Sequence, residues 1–169
     1  MVEKKFVVYG LRLSYNGPVG IEEFYKEVED WIRAKGMQKE LKKKSERLIP
    51  KGKNIEWAIE IWRRPMENVK GMVRLRAIFH NVREIELQRR GKTIRTQHAD
   101  ALFIIDGILE THLWRKWEMN PWFFFVRAMV DKYIWPFHSE KYDGPVAADT
   151  HELHKHIQAF LNIQKKKYM

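Results

Sequence analysis

Two positions apart, His98 and Asp100 are the imidazole and carboxylate whose types and spacing suit acid and base chemistry, since residues i and i+2 of a strand share one face. They precede Asp106-Gly107, a dipeptide that between apolar runs signals a type I′ hairpin turn. Such a turn would set Asp100 opposite Leu113, Leu102 opposite Thr111 and Ile104 opposite Leu109, with His98 and Arg115 further out. One face would then be apolar in the middle and polar at one end, the mixture a ligand pocket needs if that face is concave. Leu102, Thr111, Leu113 and Arg115 thus join His98 and Asp100 as candidate ligand contacts, with Trp57 from an earlier strand as an aromatic wall. The plainer alternative is a partly solvated polar neighbourhood around Asp100 and Arg115 that holds nothing.

Other chemistries find less support. Cysteine is absent, which removes disulfides, thiolate metal sites and cysteine nucleophiles. His151, His154 and His156 spread around a helix at 100° per residue, so at most His151 and His154 could share a metal, and no carboxylate is clearly placed to complete the set. We expect neither metal nor cofactor. The chain carries no nucleophile elbow, phosphate-cradling glycine loop or HExxH motif.

Charge gives a second candidate surface. The net charge is +10, and residues 36–100 hold 17 Lys and Arg against 8 Asp and Glu, while the other 104 residues hold 15 against 14. A regional excess of this kind attracts anions. Opposed strands would pair Glu60 with Arg74 and bring Glu84 and Glu86 near Arg76 and Arg74. What stays unpaired is Lys42, Lys43, Lys44 and Arg47 on one strand, and Arg89, Arg90, Lys92 and Arg95 around a hairpin tip. These could bind RNA or another polyanion, but no stacking aromatic is interleaved with the lysines, and a lysine-rich edge strand that blocks aggregation explains them as well.

The elements that must position these groups follow from periodicity. The 169 residues, 44% apolar and 13% aromatic, suit one domain over 1–169 with a core of its own. No run approaches the roughly 20 apolar residues of a membrane span, and we read the chain as soluble and cytoplasmic. Residues 6–15 form a first strand ending at Asn16-Gly17-Pro18. Ile21, Phe24, Tyr25, Val28 and Ile32 then mark a helix over 20–35, stopped by Gly36. Strand-like segments follow at 37–49, 55–62, 69–79, 82–89, 93–105 and 108–117, with a hairpin at residues 65–68. Residues 122–135 form a helix that is apolar nearly all round, as in a core or a homo-oligomer interface, with Arg127 and Asp131 paired at i, i+4. A loop at Asp143-Gly144-Pro145 precedes a last helix that starts at Asp149-Thr150 and buries Leu153, Ile157, Phe160 and Leu161.

The expected fold is therefore α+β, a curved antiparallel sheet of about seven strands with one helix after strand one and two C-terminal helices. This order resembles the helix-grip superfamily, the START-like (SRPBCC-type) and plant-allergen-like proteins. The resemblance implies an apolar cavity gripped between the sheet and a long C-terminal helix, and covers nearly the whole chain through topology, not a signature motif. The single helix after strand one and the extra aromatic helix depart from that pattern. Separately, Lys116-Trp117-Glu118, Asp131-Lys132-Tyr133-Ile134 and Ala159-Phe160-Leu161-Asn162 are similar to stretches of uncharacterised archaeal proteins, which imply no function. The leading expectation is a non-catalytic binding protein for an apolar or amphipathic small molecule. A basic RNA- or ribosome-associated adaptor is the alternative, and a cyclase or hydrolase using the same cavity is the third.

Overall fold

A computed structural model describes residues 2–112, 122, 125, 126, 128, 129, 132 and 135–168. Strand β1 (Val2–Pro18) leads into helix α1 (Ile21–Lys35), four strands follow, and a long helix closes the chain. The four are β2 (Gln38–Ile49), β3 (Gly52–Met66), β4 (Val69–Arg89) and β5 (Lys92–His112), and the helix is α2 (Trp135–Tyr168). All the described strands belong to one antiparallel sheet in the order β1-β5-β4-β3-β2.

The α1 reading holds to within a residue. Glu22 and Glu23 sit in its first turn, where the helix dipole favours acids, and Gly36 ends it at φ 64°. There Gly36 N–H donates to Arg33 O and Met37 N–H to Ile32 O. Phe24 projects from α1 into the middle of the sheet, with ring centroids 5.9 Å from Trp57, 5.7 Å from Phe79, 5.1 Å from Phe103 and 6.1 Å from Phe160 of α2. This aromatic hub fills the space expected to be a cavity. Leu153, Ile157 and Leu161 of α2 extend the same core.

Among the described residues the expected seven strands are five, because four of the segments join into two long strands. Residues 69–79 and 82–89 are both β4, which bends at Asn81 without reversing: Asn81 has φ 54°, its N–H donates to Asn54 Oδ1 at 3.0 Å, and the register shifts between His80 and Arg83. β5 runs straight through Asp106-Gly107, so the hairpin expected there, and with it the pairing of Asp100 with Leu113, does not exist. Both residues have other work. Asp106 Oδ1 accepts the Gly10 N–H at 2.7 Å where β1 shifts register, and a Cβ on Gly107 would lie 2.4 Å from Thr150 Oγ1. The residue types are those of a turn, but here the glycine makes room for α2. The turn with positive φ at both central residues is Arg90-Gly91, at 51° and 74°, between paired Arg89 and Lys92. The hairpin joining β3 to β4 falls where expected, with Met66 opposite Val69.

At the C-terminus the structure replaces the expected loop with helix. Asp143, Gly144 and Pro145 lie within α2, and Asp149-Thr150 is helix interior, not a cap. Thr150 Oγ1 donates to Val146 O at 2.7 Å, and Asp149 is held by Arg63. The segment is pressed against Gly71 and Gly107, where the sheet has no side chain to hold it off: a Cβ on Gly71 would be 3.0 Å from Val146 Cγ2. Of the expected helix at 122–135, residues 122, 125, 126, 128, 129, 132 and 135 are helical, and Arg127 and Asp131 lie outside the described residues. Trp122, Phe125 and Met129 are 73%, 63% and 51% exposed in the single chain, which goes against the core alternative of the two expected for this helix.

Candidate functional site

The sheet's two faces sort the sequence candidates. On β5 the odd positions Ala101, Phe103 and Ile105 join the helix-covered core, so the even positions point to the outer face. His98, Asp100 and Leu102 are therefore on the outer face, away from α1 and α2. Thr111 is on the inner face, and Leu113 and Arg115 lie outside the described residues. Trp57 is on the inner face but 5% exposed, edge-on to Phe24 and tilted against Tyr25 at 4.8 Å. It is part of the packed core. Without the hairpin the five of these contacts that are described fall on opposite faces of the sheet, His98, Asp100 and Leu102 on one and Trp57 and Thr111 on the other. Asp100 accepts from Asn16 Nδ2 and stands opposite His80 on β4.

A cleft does lie between sheet and C-terminal helix, nearer the β3–β4 hairpin than expected. It holds about 360 Å³, with walls from Pro65, Gly71, Leu109, Pro145 and Val146. Arg63, Lys141, Tyr142 and Asp149 supply its polar groups. Gly71 helps set its shape, since it lets α2 approach the sheet at Val146, one turn after Tyr142, which packs against Val69, Leu109 and Val146. Arg63 and Asp149 form an ion pair across the cleft, with the Asp149 carboxylate nearly buried and the guanidinium partly exposed. Tyr142 Oη points to Met66 Sδ, and the Lys141 ammonium lies 6.0 Å from the Tyr142 ring. No sequence signal marked this set, because Arg63 and Asp149 are 86 positions apart and meet only through the packing of α2.

The polyanion candidates are dispersed as well. β2 is an edge strand, exposed along almost its whole length, as a charged edge that resists strand addition should be. Lys42 bridges Glu40 and Glu60, and Lys43 bonds Glu56 at 2.6 Å. The Lys42 hydrogen bond holds the Glu40 carboxyl below its usual range. Lys44 turns to the inner side, 5.1 Å over the Tyr25 ring. Burial, with Glu22 and Glu46 adding to it, pushes the Tyr25 phenol up to about 12. At the hairpin tip Arg95 bonds Glu86 at 2.9 Å, and Arg89 reaches the C-terminal carbonyls of Lys166 and Lys167 on α2. Arg47, Arg90 and Lys92 remain exposed. Arg74 bonds Glu60 as expected, at 3.1 Å, but β4, which does not reverse, carries Glu84 and Glu86 away from Arg76, opposite Gln97 and Arg95.

Among the described residues no group of three His, Asp or Glu side chains could hold a metal ion, and no helix is long and apolar enough to cross a membrane. Comparisons with protein-family models, with curated proteins and with solved structures found no match to this chain. The likeness to helix-grip proteins stands on element order alone.

Proposed function

We propose that the chain is a non-catalytic binding protein whose cleft between the sheet and α2 takes a small amphipathic molecule with an anionic head. The supporting observation is the 360 Å³ cleft, whose lining joins apolar walls with the cations Arg63 and Lys141. That volume is near the lower end of the range for small-molecule sites, equal to about twelve waters, and suits a short acyl chain better than a sterol-sized ligand. The Lys141 ammonium supplies the charge that would meet a carboxylate or phosphate head, because Arg63 is already engaged by Asp149. Gly71 and Leu109 would form the floor under the apolar tail.

Titration with decanoate, and with decanol as its uncharged counterpart, followed by calorimetry tests the reading. Lys141→Glu should weaken decanoate binding about tenfold or more and leave decanol unchanged. Failure of either probe to bind, or equal loss of both in that exposed variant, overturns it.

A further inference from the structure

The merging of strands that dispersed the expected sites creates a different alignment on the outer face. Arg12 of β1 and Arg76 of β4 both stand opposite Ile104 of β5, and Arg76 also stands opposite Ala58 of β3, which faces Lys43 of β2. These residues form one straight row across all five strands. Neighbouring strands are about 4.8 Å apart, so the cations repeat about every 9.6 Å with an apolar residue between. Arg12 and Arg76 are exposed and, among the described residues, have no carboxylate within ion-pair distance. The adjacent row places Leu102 beside Ile78. Beyond it, on the β2–β4 side, opens a groove of about 770 Å³ lined in part by Arg47, Asn54, Ile78 and His80.

We infer that this outer face binds the phosphodiester backbone of a single-stranded nucleic acid laid across the strands from Arg12 past Arg76 to Arg47. Guanidinium forks match phosphate oxygens in pairs, and free arginines have no internal carboxylate to displace first. Of the carboxylates nearby, Glu56 is paired with Lys43, and Asp100, hydrogen-bonded by Asn16, lies four residues along β5 from the row. Beside the cations lies an aliphatic floor of the partly exposed Ile78 and Leu102, which offers the faces of unstacked bases an apolar rest but no hydrogen-bond code. Recognition is therefore driven by charge and indifferent to sequence. An acidic peptide would match the charge but would leave the aliphatic floor unused. This surface is on the opposite side of the sheet from the small-molecule cleft, and neither reading depends on the other.

Fluorescence anisotropy with a uridine 20-mer, repeated over a salt series, tests the proposal on the full chain. Three phosphate contacts, from Arg12, Arg76 and Arg47, give a slope of log K against log salt of about −2. R12A/R76A should bring that slope to about −0.7 and lower affinity about 25-fold at about 0.1 M salt. An unchanged thermal melt would show that these exposed substitutions leave the fold intact. R90A/K92A, at the hairpin tip, should leave binding unaltered. No binding at low salt, an equal loss in the tip variant, or equally tight binding of poly-glutamate overturns the proposal.

Discussion

Gly107 shows how one residue can be read correctly by type and wrongly by role. Asp106-Gly107 has the composition of a turn, and propensity alone cannot distinguish a glycine needed for its dihedral freedom from one needed for its missing Cβ. The deciding partner, Thr150, lies 43 positions later and is invisible to any local window. The consequence can be measured. Gly107→Ala would put a methyl 2.4 Å from Thr150 Oγ1 and 3.3 Å from Val146 Cγ1, and should destabilise the fold by about 1–3 kcal/mol in urea unfolding. Adding Thr150→Ala vacates that space, so the double variant should be more stable than the sum of the single effects. Strict additivity would mean that α2 does not depend on this close approach. His98 and Asp100 illustrate the same limit: their shared face was legible from alternation, but which face was covered depended on α1 and α2.

At the scale of elements, α1 was legible almost to the residue because its signals are local: an acidic first turn, a 3.6-residue apolar stripe and a glycine stop. The long strands were not, because a bend such as that at Asn81 and a true reversal share the same polar punctuation, and only the pairing partner separates them. The last helix was cut short in the reading by Gly144-Pro145, which tertiary packing of Val146 over Gly71 overrides. α1 also carries a titration that can be followed. The folded state holds the Tyr25 phenol up to about 12, against 10.0 for the free group, so its neutral form is favoured by folding. That contribution is complete below about pH 10 and is lost as pH rises through about 12. Alkaline titration of tyrosinate absorbance should show a late phase near pH 12 that Tyr25→Phe removes. A Tyr25→Phe variant with an unchanged titration curve would assign that phase elsewhere.

Across the whole molecule, class and chain order were readable while contacts between distant segments were not. The α+β class, the single helix after β1 and the closing helix all follow from patterns within a few residues. The Arg63–Asp149 pair and the Arg12–Arg76 row follow only from sheet order and register. That order puts β1 beside β5, with Val2 opposite His112 and Pro18 opposite His98. Deletion of residues 2–18 should therefore bare the backbone edge of β5, a strand whose central residues are apolar on both faces, and sedimentation should show association where the intact chain does not. A truncated chain that stays monomeric and folded would show that β1 is dispensable. The same adjacency bears on synthesis. β2 to β5 are joined by short connections and can zip together as each follows its predecessor from the ribosome, whereas the first strand to emerge has no neighbour until β5 has been translated. Roughly a hundred residues must be made after β1 begins before it finds its partner, so β1 is the strand most dependent on protection while the rest of the sheet is still being built.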